Sequence, residues 1–134
     1  MNLEIYRTIP RADLACALRD SWSAETSNHD GWQPSDGPLG QCVPTALAVQ
    51  AIRGGGIQRV IPNGHTESHY RNTDPAEDFT AGQYPAYVLF APAPKSPDGD
   101  ETQRLLQSPY NRSRFKILQT ALVAELGRRN PCSE

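Results

Sequence analysis

The chain has 134 residues, a formal net charge of -2 and a hydrophobic content of 37%. This length predicts a single domain over residues 1–134, because typical domains contain roughly 100–150 residues. The weakly acidic balance argues against a non-specific nucleic-acid binder, which would need a basic surface to neutralise phosphates. No stretch approaches the ~20 apolar residues of a membrane span, so neither nucleic acid nor membrane is an expected partner.

The N-terminus and the cysteines favour a cytoplasmic location. Residues 1–7 lack the charged start and apolar run of a signal peptide. The cysteines Cys16, Cys42 and Cys132 are odd in number and cannot all pair within one chain. We therefore expect free thiols in a reducing compartment.

The first predicted helix spans residues 10–22, where apolar residues recur at helical spacing. A polar loop follows over residues 23–40, which is long for a compact domain, and ordered loops of this length are often functional. Trp32 lies within this loop. We expect its ring to anchor the loop to the body of the protein.

The second predicted helix begins at Cys42 and runs to about Arg53. It is apolar on nearly every side, which is typical of a helix buried in the middle of a fold. Pro44 falls in the first turn, where its missing N–H is not needed. Three glycines at 54–56 end the helix.

Short strands are predicted at 57–61, 67–71 and 77–80, and residues 87–90 form a fourth strand or an extended segment. The fold class expected from this pattern is α+β. A small antiparallel sheet of three to five strands would pack on the Cys42 helix.

The remaining residues are expected to form a loop and a terminal helix. The proline-rich segment 91–100 is typical of an exposed loop. The last helix is predicted over 109–127, with Gly127 at its end. Its basic residues Arg112, Arg114 and Lys116 are expected on a solvated face.

Three side chains along this chain could carry chemistry. A helix N-terminus has a partial positive charge and unpaired N–H groups, which favour a thiolate at Cys42 and can hold an oxyanion. His69 could pair with the thiolate and protonate a leaving group. Asp78, nine residues later, could orient the imidazole if the two predicted strands form a hairpin. The register that would bring them together is not determined by the sequence.

Several short stretches follow an order that is typical of a known family. They are residues 21–26, 40–42, 45–50, 54–55, 68–70, 78–80 and 83–84. On these stretches the chain resembles the YunG-like family of small bacterial proteins, over roughly residues 14–118.

The order of cysteine, histidine and acid also resembles the core of papain-like cysteine hydrolases. This resemblance implies a papain-like fold with Cys42 as nucleophile, His69 as base and Asp78 as the residue that orients the histidine. Gln41, directly before the cysteine, is a candidate contributor to a substrate or oxyanion site. The implied function is a thiol hydrolase or acyltransferase acting on an amide, thioester or isopeptide bond. Its substrate could be a small molecule, a peptide or a protein.

Other interpretations of the same residues stay open. Cys42 could be a small buried hydrophobic residue, and the protein a non-catalytic binding or regulatory domain that retains the papain-like core. His69 could be a structural histidine, and Asp78 could cap a turn. His65 with Cys42, His69 and Asp78 would make a zinc ligand set. A paired-cysteine motif is absent, so the expected cofactor and metal content is none.

Overall fold

The structure is a computed structural model that describes residues 2–93 and 101–128. Four α-helices and three strands form an α+β arrangement in this part of the chain. In chain order they are α1 (Arg11–Ser21), α2 (Cys42–Arg53), β1 (Gly56–Pro62), β2 (His69–Thr73), β3 (Phe90–Pro92), α3 (Thr102–Leu106) and α4 (Pro109–Arg128). Short 3-10 turns lie at Leu3–Tyr6, Pro34–Asp36 and Ala81–Gln83.

The three strands form one antiparallel sheet in the order β2-β1-β3. Val60 in the central strand pairs with His69 on one side and with Pro92 on the other. The pairing therefore places His69 in the row where all three strands meet. A sheet of this size agrees with the predicted small antiparallel sheet.

Helix α2 occupies the centre and contacts β1, β2, α4 and the Leu3–Tyr6 turn. Every residue in its first two turns is buried, because each face of the helix meets another element. Its C-terminal half joins an apolar cluster with α1 and α4, which includes Leu14, Leu18, Val49, Ile52, Leu118 and Leu122. Its N-terminal half joins a second cluster, which contains Cys42, Val43, Ala46, Leu47, Ile57 and Leu105.

The helices predicted at 10–22, 42–53 and 109–127 are confirmed to within one residue at each end. The strand at 57–61 is also confirmed. Helix α3 was missed, because its five residues are too few to establish a helical period.

The strand predicted at 77–80 is wrong. Its pairing with β2 stops at a single bridge between Asn72 and Glu77. One reason is that the Asp78 carboxylate accepts a hydrogen bond from the Thr80 N–H, at 3.3 Å. Such local side-chain bonding to the backbone competes with a strand ladder. Two other strands begin later than predicted. The strand predicted at 67–71 begins at His69, and the segment predicted at 87–90 becomes a strand only from Phe90.

Two expectations about individual side chains are also wrong. Arg114 does not lie on a solvated face, since only 3% of its surface is exposed. Cys42 is a free cysteine, whereas Cys16 is disulfide-bonded, so the expectation of free thiols fails at Cys16. The prediction of a cytoplasmic location loses that support.

Some predictions concern residues outside the described part. Most of the proline-rich loop, residues 94–100, and the tail with Cys132 lie there. Within residues 2–93 and 101–128, the helices are too short or too polar to cross a bilayer.

Candidate active site

The candidate nucleophile lies at the first residue of α2. Cys42 is 8% exposed and lines a cavity of about 280 Å³. The first helical hydrogen bond runs from the Thr45 N–H to the Gln41 carbonyl, at 3.1 Å. The N–H groups of Cys42 and Val43 precede that bond, in the turn where helices have no internal partner for their donors. The thiol therefore lies where the helix dipole favours negative charge.

The cavity lies between the long loop and the residues that flank β2. Besides Cys42, its lining consists of Asn28, His29, Leu39, Gly40, Glu67, Ser68, Gln83 and Tyr84. His29 is exposed, as expected for the loop, but it also forms part of this wall. Residues of the long loop thus form one side of the Cys42 cavity.

Close packing against Gly40 holds the loop beside Cys42. The Asn28 N–H donates to the Gly40 carbonyl at 3.0 Å, and the Ser27 hydroxyl donates to the Leu39 carbonyl at 2.8 Å. Gly40 has a φ of +73°, and a Cβ there would lie 2.5 Å from Ser27 Oγ. A glycine is therefore needed both for the backbone conformation and for the close approach. Trp32 is buried and donates to the Gly37 carbonyl at 3.0 Å.

His69 and Asp78 are brought together. His69 has no exposed surface, and its Nε2 lies 2.7 Å from Asp78 Oδ2. The other oxygen of Asp78 accepts hydrogen bonds from the Thr80 N–H and hydroxyl, at 3.3 and 3.5 Å. Asp78 thus bonds to the backbone of a turn, in agreement with the alternative that it caps a turn, and it contacts His69 from there.

Two aromatic rings hold the imidazole in place. Phe90 stacks on His69 with 5.2 Å between ring centroids and 28° between the ring planes. Tyr84 meets the same ring edge-on, at 5.3 Å. These are favoured geometries for aromatic pairs. They restrict rotation of the imidazole, so that its two nitrogens keep different neighbours.

Gln83 contacts the second nitrogen of His69 and was missed as a site residue. Its Nε2 lies 3.1 Å from His69 Nδ1, while its Oε1 accepts a hydrogen bond from the Gly40 N–H at 3.3 Å. In the neutral histidine, Nδ1 accepts from Gln83 and Nε2–H donates to Asp78. Gln83 thereby joins the histidine to the loop. Its place in one of the stretches shared with the YunG-like family was the available signal.

The surroundings of His69 favour its protonated form. Burial lowers the pKa of His69, but hydrogen bonds with Asp78 and Cys42, together with the negative charges of these two residues, raise it to about 9. A protonated Nδ1 is a donor and would no longer accept from Gln83. The hydrogen bond with Cys42 is the contact that such a proton would strengthen.

Tyr84 borders the same cavity as a neutral phenol. Burial raises the pKa of Tyr84 to about 12, and the charges of Cys42, Glu67 and Asp78 act in the same direction. Near pH 7 its hydroxyl can therefore donate a hydrogen bond without adding a charge.

Gln41 connects the long loop to the start of α2. Its side chain is fully buried, with Nε2 donating to the Ser23 carbonyl at 3.0 Å and Oε1 accepting from the Thr26 hydroxyl at 2.7 Å. Both polar groups therefore hold the long loop against the start of α2. The substrate or oxyanion role of Gln41 stays a prediction, and the N–H groups of the first turn of α2 are further candidates for an oxyanion site.

The alternative zinc ligand set is not assembled. His65 Nδ1 lies 3.1 Å from Glu67 Oε1 on the surface. In the described ranges, no cluster of three or more histidine, cysteine or acidic side chains has an arrangement suited to a metal ion. The contacts of His69 are instead those with Asp78, Gln83 and the two aromatic rings.

A second cavity of about 370 Å³ lies on the other side of the loop. Asn28 and His29 line both cavities, and Trp32 and Tyr110 contribute aromatic surface to the second one. The segment around Asn28 therefore separates the Cys42 cavity from additional concave surface.

Comparison with known proteins identifies a family. A family model described as YunG protein matches residues 10–127. No curated protein and no solved structure matches the chain. Because the match covers most of its length, the chain belongs to the YunG family.

Proposed function

We propose that this member of the YunG family is a papain-like thiol enzyme that cleaves an amide, thioester or isopeptide bond through Cys42, His69 and Asp78. The observation that carries the proposal is the buried His69, which is bonded to Asp78 at 2.7 Å and interacts with the free Cys42. A cysteine, a base and an orienting carboxylate in contact form the arrangement that nucleophilic catalysis requires.

In the first step, the thiolate of Cys42 attacks the carbonyl carbon of the substrate. The carbonyl oxygen becomes an oxyanion, which the N–H groups in the first turn of α2 can bind. When the tetrahedral intermediate collapses, the bond to the leaving nitrogen or sulfur breaks, and His69 gives it the proton held at Nδ1. The product is a thioester on Cys42 and a free amine or thiol.

In the second step, neutral His69 takes a proton from an incoming nucleophile, which attacks the thioester carbonyl. Water as the nucleophile releases a carboxylic acid, and an amine releases a new amide. Either outcome restores the thiolate of Cys42 and the protonated His69. Asp78 keeps the imidazole oriented and stabilises its positive charge throughout both steps.

The first test is the pH dependence of Cys42 alkylation by iodoacetamide, followed by mass spectrometry of the peptide that contains Cys42. We expect rapid reaction below pH 7 and an alkylation midpoint well below the ~8.5 of an ordinary thiol. His69→Ala should remove this early reactivity, because the thiolate loses its cationic partner. A Cys42 that titrates like a free thiol with or without His69 would overturn the proposal.

A second measurement tests acyl transfer itself. An activated ester such as p-nitrophenyl acetate should acetylate Cys42, with a burst of nitrophenolate that is absent in Cys42→Ala. His65→Ala is the comparison for His69→Ala, because His65 is an exposed histidine whose contacts are with Glu67 and the edge of Tyr84 rather than with Asp78. Equal bursts in His69→Ala and the wild type would show that the histidine takes no part.

One observation favours a non-catalytic binding or regulatory domain as the second candidate. Cys42 is 8% exposed, and the Gln83 amide occupies the nitrogen of His69 that the mechanism needs. In that case the loop and its two cavities would bind a partner without chemistry. Inert Cys42 in a folded protein would select this function over the enzyme.

A further inference from the structure

A buried arginine on α4 contacts the long loop that leads to α2. Arg114 on α4 is 3% exposed. Its Nη1 donates to the Thr26 carbonyl at 3.3 Å and its Nη2 to Asn111 Oδ1 at 2.8 Å. The guanidinium carbon lies 4.4 Å from the centroid of the Tyr110 ring. These contacts connect α4 to the long loop that borders the Cys42 cavity.

This charge is incompletely compensated. The Arg114 Nε–H has no hydrogen-bond partner within the described residues. Burial lowers the pKa of Arg114, and the negative charges of Tyr110 and Cys42 oppose that effect when they are ionised. Burying a cation without a carboxylate partner is costly, so a purely structural role is better served by an apolar side chain.

The contacts of Arg114 lead to the nucleophile through two further residues. Arg114 donates to the Thr26 carbonyl, and the Thr26 hydroxyl donates to Gln41 Oε1 at 2.7 Å. Gln41 directly precedes Cys42 and supplies the carbonyl that begins α2. A displacement at Arg114 would therefore be transmitted to the backbone that presents the thiol.

We propose that Arg114 is a positioning residue of the thiol site, which holds the loop against the start of α2 and stabilises the thiolate of Cys42 by its positive charge. The inference rests on the proposed function, because it assigns Arg114 to the same nucleophile. His69 on β2 and Arg114 on α4 then both act on the charge of Cys42, from two different elements.

The other titratable groups around Cys42 set the background of this effect. Glu67 and Asp78 are acidic and disfavour a thiolate, whereas Tyr84 is neutral near pH 7. His29 lines the cavity and is exposed, and Tyr110 lies against Arg114. Two cations that interact with Cys42 oppose these carboxylates, namely His69, when protonated, and Arg114. Arg59 also lies near the cavity, where it donates to the Ser68 hydroxyl at 3.1 Å.

The test is the pH profile of Cys42 alkylation by iodoacetamide in Arg114→Gln. We expect the midpoint to rise above that of the wild type, because a positive charge that interacts with Cys42 is lost. Arg114→Lys should keep the midpoint near that of the wild type. Arg112→Gln is the matched control, since Arg112 is an exposed arginine on the same helix and should leave the profile unchanged. A merely structural arginine would alter the unfolding free energy without moving the midpoint.

The charge of Arg114 and its role in holding the loop can be tested separately. Thr26→Val keeps the charge of Arg114 but removes the hydroxyl that contacts Gln41. An unchanged midpoint in folded Arg114→Gln would overturn the proposal. If Arg114→Gln does not fold, the alkylation midpoint of Arg114→Lys decides. A midpoint equal to that of the wild type supports the charge effect, and a midpoint as high as that of a free thiol overturns the proposal. The change in alkylation midpoint caused by His69→Ala tests the proposed thiol enzyme separately. Failure of the enzyme proposal can therefore be distinguished from failure of the proposal for Arg114.

Discussion

The two halves of α2 lie in very different surroundings. The C-terminal half packs its apolar side chains against α1 and α4, and its charged group is Arg53 at the end of the helix, which pairs with Glu77. The N-terminal half lies beside buried polar groups, namely Thr26, Gln41, His69, Asn72 and Arg114. Asn72, for example, donates from Nδ2 to the Ala46 carbonyl at 2.9 Å. One helix thus combines a region stabilised by apolar burial with a region whose polar contacts determine the state of Cys42.

This difference teaches that stability and thiol reactivity should respond to different substitutions. Apolar burial contributes in proportion to area and has no direction. Hydrogen bonds and charges act over short distances and on defined atoms. We therefore expect core substitutions to change the free energy of unfolding, and site substitutions to change the pH profile of Cys42.

The largest effect on stability is expected in the helical core. Leu122 is fully buried on α4, and Leu122→Ala should lower the free energy of unfolding by about 2–5 kcal/mol. Urea denaturation followed by circular dichroism measures this change. Thr120→Ala, an exposed position on the same helix, is the control and should stay within about 0.5 kcal/mol. The alkylation midpoint of Cys42 in folded Leu122→Ala should equal that of the wild type. A shifted midpoint would show that stability and thiol reactivity do not respond to different substitutions.

A second large effect is expected at the carboxylate of the site. Asp78→Asn keeps the shape but removes the charge, so the pKa of His69 should fall from about 9 by roughly one to three units. NMR titration of the imidazole protons measures this shift. Thr66→Ala, at an exposed position, should leave the His69 titration unchanged. A titration of His69 that is the same in Asp78→Asn would contradict the assigned contact.

The same pKa makes stability depend on pH. His69 has a folded-state pKa raised from 6.5 to about 9. Its contribution is therefore complete below pH 6.5 and is lost as the pH rises through 9. The difference in unfolding free energy between wild type and Asp78→Asn should shrink across this interval. If this difference in unfolding free energy grew towards pH 9, it would contradict the raised pKa of His69.

An intermediate effect is expected for the buried link to Gln41. Thr26→Val leaves Gln41 Oε1 without its 2.7 Å donor and should cost about 1–3 kcal/mol of unfolding free energy. Amide hydrogen exchange should also become faster in the loop that borders Cys42. If exchange there stays at the wild-type rate, the Thr26 hydroxyl is not what holds the loop.

The smallest effect on stability is expected for Tyr84→Phe. The ring contact with His69 at 5.3 Å is retained, and only a hydroxyl is lost. The unfolding free energy should change by less than about 1 kcal/mol. Because tyrosinate absorbance should not develop at Tyr84 before about pH 12, the high-pH titration of the variant should match that of the wild type below that value. A tyrosinate step near pH 10 that disappears in the variant would contradict the burial of this hydroxyl.

The helices were predictable because their signals are local. Proline at a first turn, glycine at a helix end and apolar residues at regular spacing are properties of neighbouring residues. They located the helix that starts at Cys42 and the helix at 109–127 to within one residue. The prediction of a strand at 77–80 was wrong for the opposite reason. Strand pairing depends on contacts between residues distant in the chain, and the turn at Asp78 competes with that pairing.

Sequence alone determined the candidate cysteine, histidine and aspartate, the α+β class and the family resemblance, which the family match supports. The tertiary structure decided which other side chains meet them. It brought Gln83 to His69, bonded the Gln41 side chain to the loop and buried Arg114 against the Thr26 carbonyl. The physical reason is that side chains far apart in the chain, such as Arg114 and Thr26, meet only after the helices have packed. No local pattern of charge or hydrophobicity encodes that contact.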